Sequence, residues 1–579
     1  MNKRKTFLWL LVCVAALVVI NFIASLAHAR FDLTREKRYS LTNTSKDLLR
    51  GLDNDITIDV FLKGDLPAEF RQLSNATQEF LVTLREANPS RISYNLIDPQ
   101  DDAGGKSWGD SLQSLGAHPI NLSVQVKAGE ENKIVFPYAL IRYGDQVELV
   151  NLFQSSKRDI SVAEMNNAEA MMEYEFAKTI DRMLHPEKPL VAYAVGNREP
   201  AGPETFSLRQ TIDPESVPPN VNQYFNGSEK SNYQFGIFNI QSQKSIPDTF
   251  KVLLIVKPDS AFSDDEKLKI DQYIMRGGKV MWFIDNLYAE QDSLSYKSKL
   301  IAYDRNLNLQ DMLFTYGVRL NPDLLMDLQC DFLPFAVGGS SGSPQYEFLH
   351  WNYYPLFESR NNHTITKNLG LVAGRFVNSI DTIENEGVRK TFLLQSSSNS
   401  RIISTPALIS PNENRNTPED ALFNKRDIPA GVLLEGKFTS LYRGRIGKAR
   451  TDSLAAFGGY REESTEDGKM IVVADGDIVL NNVSSKGPLP MGMNLFTVGS
   501  QYEYQFANRD FVLNCLEYLT SKSSIIQTRN KEIVLRLLDM KKVEEEKTRW
   551  QLINIVLPVL LLVIFGFIYQ QVRRYYFAR

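Results

Sequence analysis

Two uncharged apolar runs, one near each end, constrain this chain more than any other feature. Phe7–Ala27 (FLWLLVCVAALVVINFIASLA) holds 21 residues without a charge, and Trp550–Tyr569 (WQLINIVLPVLLLVIFGFIY) holds 20. A helix rises about 1.5 Å per residue and the hydrocarbon core of a bilayer is about 30 Å thick, so either run can span it. Trp550, Tyr569, Tyr575 and Tyr576 suit the interface beside the second run. Pro558 is tolerable there when neighbouring groups satisfy the freed backbone. The first run has a rival reading. Asn2-Lys3-Arg4-Lys5 resembles the start of a signal peptide, and Ala27-His28-Ala29 a cleavage site. The run exceeds a usual signal core of about 7–15 residues, so a retained anchor is expected and a cleaved signal is the alternative. Either way the middle of the chain is exported.

Charge does not decide the orientation. Lys3, Arg4 and Lys5 precede the first run, and Arg573, Arg574 and Arg579 follow the second. They are matched by Arg30, Arg35, Lys37 and Arg38 on the inner flank of the first, and by Lys541, Lys542, Lys547 and Arg549 on that of the second. Long domains translocate largely regardless of such counts. The balanced flanks also suit contact with anionic headgroups of the lipid bilayer.

The 579 residues suggest about three or four domains. The expected division is an anchor at 1–29, an α/β N-terminal ectodomain at 30–187 and a doubly wound α/β domain at 188–525. That domain carries a loop-rich insertion at about 290–460. A charged stalk helix at 526–549, a transmembrane helix at 550–572 and a basic tail at 573–579 complete it. With 43% hydrophobic and 23% charged residues the chain can build several cores. A net charge of −4 and no basic block give nucleic-acid binding no electrostatic support. Cys13, Cys330 and Cys515 are too few for a cysteine-rich zinc site.

In the first ectodomain part, Thr42 and Asn43 can cap a short helix, and Ile56–Leu62 alternates as a strand. Pro67 opens a helix bearing Phe70, Leu73, Phe80, Leu81 and Leu84, and Ile92–Ile97 is the next strand. This unit is thioredoxin-like in outline but lacks Cys-x-x-Cys, so redox chemistry is unsupported. Strands are expected over Ile120–Val126, Lys133–Tyr143 and Gln146–Leu152, with a turn at Gly144-Asp145. A helix over 161–184 carries Met165, Met171, Met172 and Met183, which serve as core filler or, alternatively, as a partner surface.

In the second part, Leu190–Val195 and Val252–Val256 read as buried parallel strands. Ser263 and Glu266 form a capping-box pattern at the head of a helix, Gly277-Gly278 close it, and Val280–Ile284 is the next strand. This is a β-α-β crossover, and Ile471–Ala474 reads as a later strand of the same sheet.

A doubly wound sheet binds ligands outside the carboxyl ends of its strands. The polar residues there are Asn197, Arg198 and Glu199, then Asp285 and Asn286, then Asp475 and Asp477. They form a candidate ligand or partner crevice; the plainer reading is strand-end and cap polarity. No catalytic, cofactor-binding or metal residue is assigned and no cofactor is expected. A nucleotide-hydrolysis loop and His-Glu-x-x-His are absent, no Gly-x-Ser-x-Gly nucleophile turn is expected, and the five histidines are scattered.

Several stretches carry a resemblance. They are Arg30–Thr42 (RFDLTREKRYSLT), Gly64–Pro67 (GDLP), Asp271–Val280 (DQYIMRGGKV), Val432–Leu441 (VLLEGKFTSL) and Asp475-Gly476-Asp477. In this order, between terminal anchors, the chain resembles the GldG-type auxiliary proteins of ABC transporters associated with gliding motility. The resemblance implies a non-catalytic subunit of the bacterial inner membrane with its ectodomain in the periplasm. Its partners would be a multi-span permease, on which its helices pack, and a cytoplasmic ATPase. It also implies a central domain similar to one in intraflagellar transport proteins and, more distantly, to amidotransferase-like folds. The nucleophilic cysteine of the latter is missing here. A periplasmic solute- or glycan-binding receptor is the alternative function, and an anchored hydrolase a further one.

Overall fold

The computed structural model describes residues 40–101, 107–126, 129–153, 162–222, 225, 232–291, 299–340, 342–358, 360–410, 420–521, 525–530 and 540–577, with 12, 14–19, 21, 32 and 34 nearer the N-terminus. The expected first span lies largely outside these residues. The chain divides into two units, Met1–Glu532 and Ile533–Arg579.

Thr42 accepts a hydrogen bond from the Ser45 amide and so caps α1 (Asn43–Arg50). The cap is itself held by α3 (Val162–Leu184): Glu173 Oε1 accepts from the Thr42 amide, the Thr42 hydroxyl and the Ser45 hydroxyl at 2.7–2.8 Å. Next come β1 (Ile56–Val60), α2 (Ala68–Ala87) and β2 (Ile92–Leu96), with β1 and β2 parallel. The apolar stripe Phe70, Leu73, Leu81 and Leu84 of α2 is buried in the same core as Ile56, Ile58 and Val60. The hairpin β3 (Ile120–Val126) and β4 (Gly129–Val135) forms a sheet of its own. β5 (Tyr138–Tyr143) and β6 (Gln146–Asn151) complete the order β2-β1-β5-β6. The strand expected over Lys133–Tyr143 is therefore two strands. Phe136 and Pro137 separate them, and Pro137 has no N–H to give a ladder. Met165, Met172 and Met183 are core residues, and Met171 is partly buried.

The central sheet comprises β7 (Leu190–Val195), β8 (Gln234–Asn239), β9 (Phe250–Val256), β10 (Lys279–Phe283), β11 (Val388–Gln395), β12 (Pro429–Gly436) and β13 (Gly468–Val473). Their order is β11-β12-β13-β10-β9-β7-β8. β8, β7, β9, β10 and β13 run parallel, while β12 is antiparallel to both neighbours. Taken in chain order, the parallel strands lie 2-1-3-4-5, so the order reverses between β7 and β9. α4 (Phe206–Ile212) and α6 (Asn508–Thr520) cover one face, with Leu208, Ile212, Phe511 and Leu516 in its core. α5 (Asp264–Met275) covers the other through Ile270, Tyr273 and Ile274. The predicted capping box is present on α5: Ser263 accepts from the Glu266 amide, and Glu266 from the Ser263 amide at 2.6 Å. Gly277 follows at φ +95°, a left-handed position that suits glycine.

The insertion is more ordered than its composition suggests. Its residues supply β11 and β12, the antiparallel edge of the sheet. It also has its own core of Leu324, Met326, Trp351, Tyr353, Tyr354 and Phe376, beside the hairpin Cys330–Ser340/Ser343–Phe357. Cys330 and Cys515 are buried free thiols.

The second unit contains α7 (Met540–Phe577), with Pro558 inside it. The stretch Glu546–Tyr575 is long and apolar enough to cross a membrane. The expected stalk helix is corrected at its start: Ile525–Asn530 is a 3-10 turn and 531–539 lie outside the described residues. From Met540 onward charged and apolar segments are one helix. The expected pairs Lys541–Glu545 and Lys542–Glu546 lie outside the described side chains.

Candidate functional site

The carboxyl ends of β9, β10 and β13 meet at one buried cation. Lys257, the first residue after β9, is 8% exposed and adopts φ +45°. Its Nζ lies 2.8 Å from Asp477 Oδ1, 3.0 Å from Glu290 Oε2 and 3.2 Å from Asp285 Oδ2. An ammonium has three donors, and three carboxylates surround this one. Burial opposes its charge, but Asp477, Asp285 and Glu290 outweigh burial and raise its pKa well above the usual lysine range.

The carboxylates are fixed in turn. Asp285 Oδ1 accepts from the Gly476 amide at 2.6 Å, and Asp475 Oδ1 from the Asp477 amide at 2.7 Å. Asp475 Oδ2 accepts from the Arg375 amide at 2.7 Å. Arg305 bridges Glu290 and Asp259 and lies 3.9 Å from Asp285. Burial and the charges of Asp477 and Asp285 push Asp475 well up. For Asp477 burial is outweighed by Lys257 and Arg375, and its pKa falls. The two carboxyls are thus pushed in opposite directions, Asp475 up by burial and its acidic neighbours and Asp477 down by Lys257 and Arg375. Gly476 packs where a Cβ would stand 2.6 Å from Lys257 Cβ.

Of the residues singled out from the sequence, Asp285, Asp475 and Asp477 come together. Asn286 adjoins them, its amide donating to Asn378 Oδ1 at 2.8 Å. Asn197 and Glu199 form a neighbouring group after β7: the Asn197 amide donates to Glu199 Oε2 at 2.7 Å, and Asn197 O accepts from the Asp259 and Ser260 amides. Asn197 Oδ1 and Glu199 Oε1 are buried without a partner among the described residues. Burial raises the Glu199 pKa. Arg198 is exposed, at φ +60°, and stands outside both groups. Among the described residues no cluster of His, Cys, Asp and Glu could hold a metal. The carboxylates of Asp285, Glu290 and Asp477 already face an internal cation.

Lys257, Glu290, Arg305 and Arg375 were not anticipated. Lys257 could have been: the strand-end rule applies to β9 as to its neighbours, and Lys257 directly follows it. The other residues arrive from the insertion, where no sequence period places them. One pattern also needs correcting. Gly338-Gly339-Ser340-Ser341-Gly342 does match Gly-x-Ser-x-Gly. It lies at the tip of the hairpin Cys330–Ser340/Ser343–Phe357, not on a strand-to-helix turn, and Ser340 is exposed.

Three of the stretches that carried the resemblance serve this architecture. Asp271 of α5 accepts from the Ser440 hydroxyl at 2.7 Å and from the Leu441 amide and Tyr316 hydroxyl at 2.8 Å. Asp271–Val280 and Val432–Leu441 are thereby tied together, as Asp475-Gly476-Asp477 is tied to Asp285. Residues 188–515, which hold all of these contacts, match the family described as an ABC-type uncharacterized transport system. The chain belongs to this family. It is thus an auxiliary component of an ABC-type transport system, which implies a permease and an ATPase as partners. Residues 35–142 match a second family, DUF7088, a domain of unknown function. An uncharacterized protein of Borreliella burgdorferi is 21% identical over 470 residues, covering 77% of this chain and 80% of its own. Among solved structures, the mmIFT52 N-terminal domain aligns with a TM-score of 0.30 and 11% identity over 57% of this chain and 97% of its own. Exo-beta-1,4-mannosidase Op5Man5 from Opitutaceae bacterium strain TAV5 aligns at 0.19 and 9%, over 63% and 39%. At those scores neither likeness bears on fold or function.

Proposed function

We propose that this transport auxiliary protein is a non-catalytic subunit of the GldG type, linked to gliding motility and anchored in the bacterial inner membrane with its large unit in the periplasm. The reading rests chiefly on α7. Its stretch Glu546–Tyr575 has no buried residue in its most apolar part and is continuous with a charged segment, without a glycine between them. Exposed apolar surface of that length needs lipid or a neighbouring membrane helix, and the permease supplies the latter. The closed Lys257 cluster supports a non-catalytic role, because its donors are filled by the chain's own carboxylates. The test is purification of the tagged full chain from native membranes in mild detergent. A permease and an ATPase should copurify; recovery of neither overturns the proposal.

A second reading, a solute or glycan receptor at the strand ends, is favoured by one observation. Asn197 Oδ1 and Glu199 Oε1 are buried and unsatisfied beside the point where strand order reverses. A sugar hydroxyl would satisfy both. Saturable binding of a glycan fragment by the full chain, lost in Glu199→Gln, would establish it; no binding by any fragment of the cell's own envelope glycans removes it.

A further inference from the structure

We infer that the cleft between the N-terminal α/β part and the central sheet domain binds a small organic anion through Arg529. The cleft has a volume of about 350 Å³ and is lined by α3 and β6 on one side and by α6 and the 525–530 turn on the other. Junctions of this kind are common sites for small ligands, and the volume falls within their usual range of roughly 300–1,000 Å³.

Arg529 gives the cleft its chemistry. It is 5% exposed, and its guanidinium lies 5.0 Å from the centre of the Tyr174 ring. It donates through Nη1 to Asn514 Oδ1, while Nε is buried without an acceptor. Among the described residues no carboxylate pairs with it. A guanidinium has five donors and cannot deprotonate, so a buried one needs an anion. Lys178 reaches over the same Tyr174 ring at 5.4 Å, and one helical turn on, Arg182 also lines the cleft. Arg182 is already paired with the Glu148 carboxylate at 2.8 Å and bonded to Asn232 at 2.9 Å, although its Nε, like that of Arg529, is buried without an acceptor. The charge without a carboxylate partner therefore sits at Arg529, with Lys178 at the same ring. Glu175 and Asp510 at the same cleft disfavour a ligand with more than one acidic group. The site selects a single phosphate or carboxylate carried on a small organic body, the aromatic face of Tyr174 and the side chain of Leu513 lining the rest.

This inference does not rest on transporter assembly, so its outcome is separate from the copurification test. The full chain in detergent is titrated with inorganic phosphate, glycerol 3-phosphate and acetate at constant ionic strength, with chloride as control. A saturable rise in melting temperature of about 2 °C with at least one probe is expected. Arg529→Gln should abolish it, and Lys178→Gln, at a less buried position, should weaken apparent affinity by about tenfold. Arg529→Lys should retain part of the response. No saturable rise with any probe, or equal rises in wild type and Arg529→Gln, overturns the inference. A rise matched by chloride is generic salt stabilisation and overturns it too.

Discussion

Two of the places where this molecule buries a cation differ in who neutralises it. At the strand ends Lys257 is enclosed by Asp285, Glu290 and Asp477, and Arg305 by Glu290 and Asp259. At the cleft Arg529 is equally buried but meets an asparagine and a tyrosine ring. The fold rule points to the first place as the ligand site. The charge accounting points to the second. Topology locates where loops converge; it does not say whether those loops complete one another. Here they do, and the convergence point of the sheet serves as a cross-link between strand ends and insertion.

The sharpest way to break this comparison is to remove the sealed cation. Lys257→Met leaves three carboxylates facing one another in a buried site, and breaking a buried pair from one side costs about 3–5 kcal/mol. Urea unfolding of the full chain in micelles, followed by the fluorescence of buried Trp282, should show that loss. Lys257→Met/Asp477→Asn should recover part of it, because the two residues are coupled. An additive double mutant would mean that Lys257 does not neutralise Asp477. The pH response has a definite sign as well. Asp477 is lowered when folded, so its contribution is present above the ordinary carboxylate range and is lost as pH falls through its folded pKa.

A second sealed point is Asp271. Asp271→Ala orphans the donors of Tyr316, Ser440 and Leu441, and should cost about 2–3 kcal/mol in the same assay. A cost below about 1 kcal/mol would show that water replaces the carboxylate and that α5 is not pinned to the 440 loop.

The legibility of the sequence follows the range of each interaction. The Ser263/Glu266 capping box, the Gly144-Asp145 turn and the apolar runs of β7, β9 and β10 are local signals, and each stands where its residues put it. β8 was missed because Gln234–Asn239 is an edge strand with Ile237 exposed and only Phe238 fully buried, so it has neither a continuous apolar run nor clean alternation. β11 and β12 were missed because their Gly- and Ser-rich surroundings read as loop, although Val432–Leu434 is as apolar as any parallel strand. Asp285, Asp475 and Asp477 were visible from the strand-end rule. Their partners Glu290, Arg305 and Arg375 were not, since pairing across a long insertion leaves no period in the chain. Arg529 had no signal at all: its significance is a missing carboxylate, which only three-dimensional placement reveals.

A smaller effect separates the two regions by pH. His363 meets Tyr518 edge to face, with ring centres 4.9 Å apart, and burial lowers its pKa below the ordinary imidazole range of about 6.5. The folded chain holds it neutral, so its contribution is present above that range and is lost as pH falls. The histidine's share of the stability should be lost as pH falls from about 7 to about 5, and His363→Gln should remove that share from the slope. Wild type and variant with the same slope would assign the loss elsewhere. Asp475 acts in the opposite sense, since a raised carboxylate contributes most at low pH and its stability is lost as pH rises, so the difference in slope between wild type and His363→Gln isolates the histidine.

The smallest expected effect is the most informative about the cleft. Without ligand, Arg529→Gln removes a buried charge that no described carboxylate compensates, so the gain in desolvation offsets the loss of stacking on Tyr174. Glutamine keeps a donor for Asn514 Oδ1. The net change in unfolding free energy should stay within about 1 kcal/mol, against the several expected for Lys257→Met. If Arg529→Gln proves as costly as Lys257→Met, the guanidinium already has its counter-charge within the fold. The two sites would then be of one kind, and the cleft would have no charge left for a ligand to neutralise.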